Sequence, residues 1–501
     1  MQKGIQKFIK NAASNVIAGG GSAILAIVLP YFFVRIFNPA EFSLWVLILQ
    51  LAAYLNYLNF GVQAALGRFV AHSLARNRVD ECQEVLGAGL QILTALGALG
   101  MVLVAAVTPF LPVIFKAMDP ALGSTAKITL LWVGGALALG LPFTAYSGVF
   151  WGMQRNDVAA VTTLFSKGTL AIGLIVTAYV SHGLVAVARA YFFLSLLGYI
   201  VTWATFRVMC PAWRSRLLNV TASVRRELIS YCLSASAWTL AMLLTRGLDL
   251  TIVGIYDFTG VGAYGVGANV IALFVGVFTS ITAPLLQVFT KFHAREDQSN
   301  LAAALKSSSL LVTTLVLISA SWMLLPSALI FNHWVGSQMA AVGVPIFVVL
   351  IFANAVRLAG APFSIYVLAV GLQRRVYLSP FVEGVTNLLA SIILAKKFGA
   401  IGVAWGTMAG AVAGIATYYL YNFKRTVSGE PTSRDYFRSN LQTPFLVSLP
   451  MLAVLTFAWW KQVPLLVSLP GLVCATVPSM LITLRKYREV GQLRRVQAST
   501  V

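Results

Sequence analysis

The chain has 501 residues, of which 59% are hydrophobic types and only 10% are charged. A soluble domain is about half apolar and about a quarter charged, so lipid rather than water is the main solvent for this chain. Net charge is +21, from 36 Lys and Arg against 15 Asp and Glu; with no strand-rich basic and aromatic module to read bases, the excess is assigned to loops at a cytoplasmic membrane face, and a nucleic-acid partner is excluded.

The first element is an apolar run over 14–37, preceded by Lys3, Lys7 and Lys10. It is too long for the core of a signal peptide and lacks a placed small-residue cleavage site, so it reads as a retained span. Thirteen further runs are near the roughly 20 apolar residues a membrane helix needs. They cover 41–63, 84–111, 127–151, 158–181, 183–206, 227–256, 259–290, 301–330, 341–370, 378–395, 400–422, 441–460 and 464–484. The sequence thus predicts an all-α polytopic membrane protein with about 14 transmembrane helices. With both termini placed inside, cytoplasmic segments hold 26 of the 36 basic residues and the opposite face holds six, which fixes the expected orientation.

A repeat divides the chain. Residues 142–155 read PFTAYSGVFWGMQR and 362–374 read PFSIYVLAVGLQR, and GLVAVA at 183–188 is echoed by GAIGVA at 399–404. An even number of spans separates equivalent points, so the halves enter the membrane the same way up, related by a pseudo-two-fold axis along the membrane normal. The expected domains are a six-helix lobe over 1–206, a basic cytoplasmic linker over 207–226 and a second six-helix lobe over 227–422. A basic cytoplasmic loop over 423–440, two additional helices over 441–484 and a basic tail over 485–501 complete the chain.

Gly19, Gly20 and Gly21 interrupt the first span and mark a candidate hinge, against the plainer reading of close helix packing. The sharpest chemical signals are ionisable residues inside spans: Lys167, Arg189, Arg246, Asp249, Arg357 and Glu383. Each costs roughly 2.5–3.5 kcal/mol at a helix centre, so such groups face water, a partner or a ligand. Arg246 and Asp249 share a helix face and either neutralise each other or line a cavity. Lys167 and Glu383, at matching points of the two halves, read as cavity residues or as a bridge across the axis. Arg189, near a helix start, snorkels outward. Arg246, Arg357 and Lys167 are the candidate substrate-binding cations, and Asp249 and Glu383 are candidates for ion coupling or charge pairing. A positive interior suits an anionic group such as phosphate.

Other patterns carry less. The glycines of 260–265 match GxGxxG without a βαβ unit around them, and no P-loop exists. The four cysteines and four histidines form no metal-binding or disulfide pattern, so neither a metal nor a cofactor is expected.

Arg35-Ile-Phe-Asn-Pro39-Ala-Glu41-Phe42, Leu58-Asn59-Phe60-Gly61, Arg246-Gly-Leu-Asp249 through Gly254, Val261-Gly262-Ala263-Tyr264, and Gly399-Ala-Ile-Gly402-Val-Ala404 carry a resemblance over about 1–422. Here the chain resembles the polysaccharide (O-antigen or exopolysaccharide) flippases of the multidrug/oligosaccharidyl-lipid/polysaccharide exporter superfamily. The resemblance implies two six-helix lobes with extra C-terminal helices and a cavity lined by spans one, two, seven and eight. It also implies alternating access, with cation-coupled flipping of a polyprenyl-diphosphate-linked oligosaccharide across a bacterial inner membrane. Expected partners are that lipid-linked oligosaccharide, membrane lipids and polysaccharide polymerase or assembly proteins. The family's Asp in span seven carries over to Asp249, whereas Arg246 departs from the neutral polar residue common there. The alternatives are a drug-type cation antiporter of the same superfamily, which should favour acidic cavity residues, and a polymerase or ligase, which should carry a larger outer loop. The chain is expected not to be an enzyme.

Overall fold

Lipid offers no hydrogen-bond partners, so a spanning segment must satisfy its own backbone. The computed structural model describes residues 26–213, 220–243, 247–427 and 431–498. Among them the chain is nearly all helical, with no strand. Eleven helices are long and apolar enough to cross a membrane. One of these, Leu378–Thr426, folds back at Gly399 (φ 60°, ψ −138°), a conformation that suits only glycine, and so contributes two spans. Ala26–Ile36 is the described part of the first span, and the seventh is divided between Ala222–Met242 and Asp249–Tyr256. Each predicted span therefore has a helical counterpart, which makes this a fold of about 14 transmembrane helices. The Gly19–Gly21 cluster lies outside the described residues.

By contacts the chain forms two compact units, Met1–Gly265 and Val266–Val501. In the first we label α1 Ala26–Ile36, α2 Pro39–Ala53, α3 Val62–Ala75, α4 Val79–Val107, α5 Gly123–Gly140, α6 Thr144–Gly152, α7 Asn156–Ser181, α8 Leu184–Met209, α9 Ala222–Met242 and α10 Asp249–Tyr256. α2 starts at a reciprocal cap: Glu41 N–H donates to Asn38 Oδ1 (2.8 Å), Asn38 N–H donates to Glu41 Oε2 (3.2 Å), and Pro39 holds the first helical position. α2 and α3 belong to one span broken by Phe60 and Gly61, both left-handed (φ 45° and 78°). Asn59 stabilises the break, accepting from Gln63 N–H (3.1 Å) and donating to Thr144 Oγ1 (3.2 Å). Two segments of the family likeness are thus a helix start and a helix break.

α3 packs closely on α6: a Cβ on Gly148 would stand 2.6 Å from the Gln63 carbonyl oxygen, and one on Gly152 2.7 Å from that of Gly67. α9 rests on α3 and α4, and α10 rests on α2. Thr221 N–H and Oγ1 donate to Glu84 Oε1 at 2.8 and 2.5 Å, tying the entrance of α9 to α4. The division by contacts falls after Gly265, so the seventh span belongs to the first unit. The glycines of 260–265 have a packing role too: a Cβ on Gly262 would lie 2.8 Å from Phe42, and Gly262 N–H donates to Ser43 Oγ (3.2 Å).

α11 (Val261–Thr282) leads into the second unit. There follow α12 Leu285–Ala294, α13 Gln298–Leu324, α14 Ser327–Val335, α15 Ser337–Ala359, α16 Ala361–Val370, α17 Leu378–Thr417, α18 Thr443–Trp460 and α19 Leu465–Ala498. Its local design repeats that of the first. α12 packs on α16 as α3 does on α6. Left-handed turn residues recur at Asn77 and Glu296, at Gln154 and Gly371, and at His182 and Gly399, each pair about 220 residues apart. Phe143 with Tyr146 and Phe363 with Tyr366, from the duplicated motif, make ring contacts at 6.3 and 6.0 Å.

The C-terminal spans are integral to the second unit, because α18 and α19 both pack on α13. The predicted basic loop is partly helical: Ser433–Phe437 and Arg438–Gln442 run into α18. Tyr436 and Asn440 within it are fully buried. Tyr436 Oη lies 2.8 Å from Ser309 Oγ. Asn440 accepts from Thr313 Oγ1 (2.8 Å) and donates to the Ala359 carbonyl (3.0 Å) and Tyr419 Oη (2.6 Å). A buried amide with this many partners fixes the register of the docking helices.

Candidate functional site

Three polar constellations lie within the apolar units. The first is a cavity of about 180 Å³ in the N-terminal unit, walled by α5 to α8. Lys167 lines it, with Phe143, Tyr191 and Tyr199 as aromatic surfaces and Thr163, Ser166, Ser195 and Thr202 among the hydroxyls. Thr163, Ser166 and Thr202 donate to carbonyls one turn back at 2.7, 2.8 and 2.9 Å. That satisfies their hydrogens within the helix and leaves oxygen lone pairs as acceptors. Among the described residues, no carboxylate lines the cavity. The lining therefore offers one ammonium donor, several hydroxyl acceptors and stacking faces, a combination matched to a polyhydroxylated or anionic group.

The second constellation surrounds Asp249, the first residue of α10. A carboxylate there meets the positive end of the helix dipole. Tyr264, itself buried, donates to Asp249 Oδ2 at 3.2 Å. The peptide oxygen of Gly247 accepts from Gln50 Nε2 (2.9 Å) and Tyr54 Oη (2.6 Å), and Tyr54 Oη also meets Thr251 Oγ1. The break before α10 is thus held by polar side chains of α2 and the residue after it. Its partner in the sequence argument, Arg246, lies outside the described residues.

The third is an ion pair in the C-terminal unit. Arg357, in the last turn of α15, donates from Nε to Glu383 Oε1 of α17 at 2.5 Å, with side-chain exposures of 9% and 18%. Within the C-terminal unit Glu383 is thus paired with Arg357. Space for its carboxylate comes from Gly414, where a Cβ would sit 2.9 Å from Glu383 Oε2. Gly402, Gly406, Gly410 and Gly414 recur every four residues and face Leu394, Ser391, Asn387 and Glu383 across the hairpin. The sequence reading overlooked this stripe, although its small-xxx-small spacing was a usable signal. It also overlooked Tyr54 and Gln50, which no local pattern singles out, and it quoted Tyr264 only within the family likeness, without a role. Arg189 is exposed near the start of α8.

The sequence matches the model of a family described as "Polysaccharide biosynthesis protein" over residues 8–293. The chain belongs to this family. No curated protein matches it. Among solved structures it is similar to one titled "Lipid II flippase MurJ, inward closed conformation", with a TM-score of 0.67 and 15% identity over 94% of this chain and 98% of that one. An inward-facing multidrug resistance MATE family transporter of the MOP superfamily gives 0.70 at 13% identity, over 79% and 93%. A MOP superfamily transporter from Pyrococcus furiosus gives 0.59 at 12%, over 82% and 94%; its title describes a binding pocket of reverse polarity. The fold of this polysaccharide biosynthesis family member is accordingly shared with these flippase and transporter structures, and the chain is a multi-pass membrane protein.

Proposed function

We propose that the chain is a flippase that moves a polyprenyl-diphosphate-linked oligosaccharide across the bacterial cytoplasmic membrane by alternating access, with both termini cytoplasmic. The observation that carries this reading is the Lys167 cavity: it is cationic, hydroxyl-rich and aromatic, and none of its described lining residues is a carboxylate. A cavity selecting organic cations would be expected to present acidic groups, which favours an anionic, sugar-bearing cargo over a drug. Family membership in polysaccharide biosynthesis and a fold shared with a lipid II flippase support the same class of cargo. Lys167 and Arg246 are the proposed cationic contacts; Arg357, paired with Glu383, would join them only by exchanging that partner for the cargo. Asp249 is proposed to couple a cation to the cycle, since it sits half-buried at a helix break where a change of protonation alters the local charge balance.

The deciding experiment is removal of the chain from its host, followed by quantification of lipid-linked oligosaccharide on each membrane face. Accumulation at the cytoplasmic face with loss of surface polysaccharide is expected. Unchanged surface polysaccharide, or efflux of cationic dyes by vesicles containing the chain, would overturn the reading.

A further inference from the structure

The duplicated PF[ST]xY motif ends each time in a Gln-Arg turn, and the two turns differ in charge. In the N-terminal unit, Arg155 grips Asp157 through two nitrogens, Nε to Oδ1 at 3.0 Å and Nη2 to Oδ2 at 3.4 Å, so the turn neutralises itself. In the C-terminal unit the aligned turn reads Gln373-Arg374-Arg375-Val376-Tyr377, with Val376 in the place of Asp157. Arg375, which aligns with the uncharged Asn156, donates from Nη1 to the Arg425 carbonyl (3.3 Å), at the far end of the α17 hairpin, and this contact commits only one of its donors. Arg425 lies over the Tyr421 ring at 4.0 Å, which holds its guanidinium in place. Arg375, Tyr377, Leu378, Tyr421 and Arg425 enclose an open pocket of about 500 Å³.

Among the described residues, two guanidiniums, two tyrosines and no acid thus meet where both ends of an apolar helical hairpin leave the lipid. Tyr377 and Leu378 are exposed beside them. Tyrosines favour the level of lipid headgroups, and basic pockets at the ends of membrane helices favour their phosphates. The guanidinium fork matches phosphate oxygens in a way an ammonium does not. We propose that the Arg375–Arg425 pocket is a binding site for the phosphate of an anionic phospholipid headgroup, separate from the cavity assigned to the cargo.

The test uses the full-length protein in neutral detergent, titrated with phosphatidylglycerol or phosphatidylcholine and read by native mass spectrometry, so it does not depend on transport. Phosphatidylglycerol should bind in preference. Arg375→Ala and Arg425→Ala should each weaken it about fivefold, and the pair about twentyfold, while Arg295→Ala should not. If the alanine pair fails to fold by gel filtration, Arg375→Lys/Arg425→Lys keeps the charge and should weaken binding severalfold. Unchanged phosphatidylglycerol affinity in the folded variants would refute the site. Inorganic phosphate binding as tightly as the lipid would refute the lipid assignment.

Discussion

Burial decides what each charged residue can do. Arg357 and Glu383 are removed from water and matched to each other, and breaking such a pair by removing one partner costs about 3–5 kcal/mol, because the survivor is left uncompensated. Glu383→Ala is therefore expected to lower the thermal midpoint of the purified protein sharply, and Arg357→Met/Glu383→Leu to restore much of it; equal melting of the wild type and Glu383→Ala would show that the pair contributes nothing. Lys167, in contrast, is accessible at a cavity wall. Lys167→Ala should leave abundance and melting unchanged and reduce polysaccharide export, and normal export at normal abundance would remove it from the site. At position 246 geometry should matter beyond charge: Arg246→Lys is expected to lose much of the export and Arg246→Ala more, scored against protein abundance. That charges within spans need compensation was legible from cost alone. Which partner each one takes was not: Glu383 lies 26 residues from Arg357 in sequence and meets it only because α15 and α17 pack together.

Helices here are joined and broken by small residues. The glycine stripe of α17 lets two antiparallel segments approach until side chains on one touch the backbone of the other, which is where van der Waals packing in lipid is strongest. A methyl group at the centre of such a contact forces the helices apart. Gly410→Ala should cost about 1–3 kcal/mol, read as a lowered melting temperature, since a Cβ there meets Asn387 at 2.7 Å. Gly276→Ala, whose Cβ would meet nothing within 4 Å, should melt like the wild type. If both variants behave alike, the stripe is not a packing seam. The same physics accounts for the 433–442 segment. Its basic composition marks it as a loop, yet Tyr436 and Asn440 find buried hydrogen-bond partners on α13, and those bonds favour helix over loop.

For the molecule as a whole, the charge asymmetry predicts where each end of every span lies. Reporter fusions at Ala117 and His333 should report the outer face, and fusions at Asn156 and Arg375 the cytoplasm; a consistent reversal would invert the orientation and with it the proposed direction of export. The duplicated left-handed turns about 220 residues apart give the repeat a structural basis beyond the matching letters. They place chain reversals within two residues of matching points of the two halves: the duplicated motifs align Gly371 with Gly152, two residues before Gln154, and Gly399 with Gly183, one after His182.

The sequence by itself determined the solvent, the helical class, the span count and the duplication, because hydropathy and loop composition are local properties that lipid enforces residue by residue. Only the tertiary structure decided that Glu383 pairs with Arg357 and that Asp249 receives a hydrogen bond from Tyr264. The same holds for the packing of the seventh span on the first unit and for the gathering of Lys167 with hydroxyls from three helices around one cavity. These are contacts between residues far apart in the chain, set by which helix faces pack together, and no local pattern encodes them.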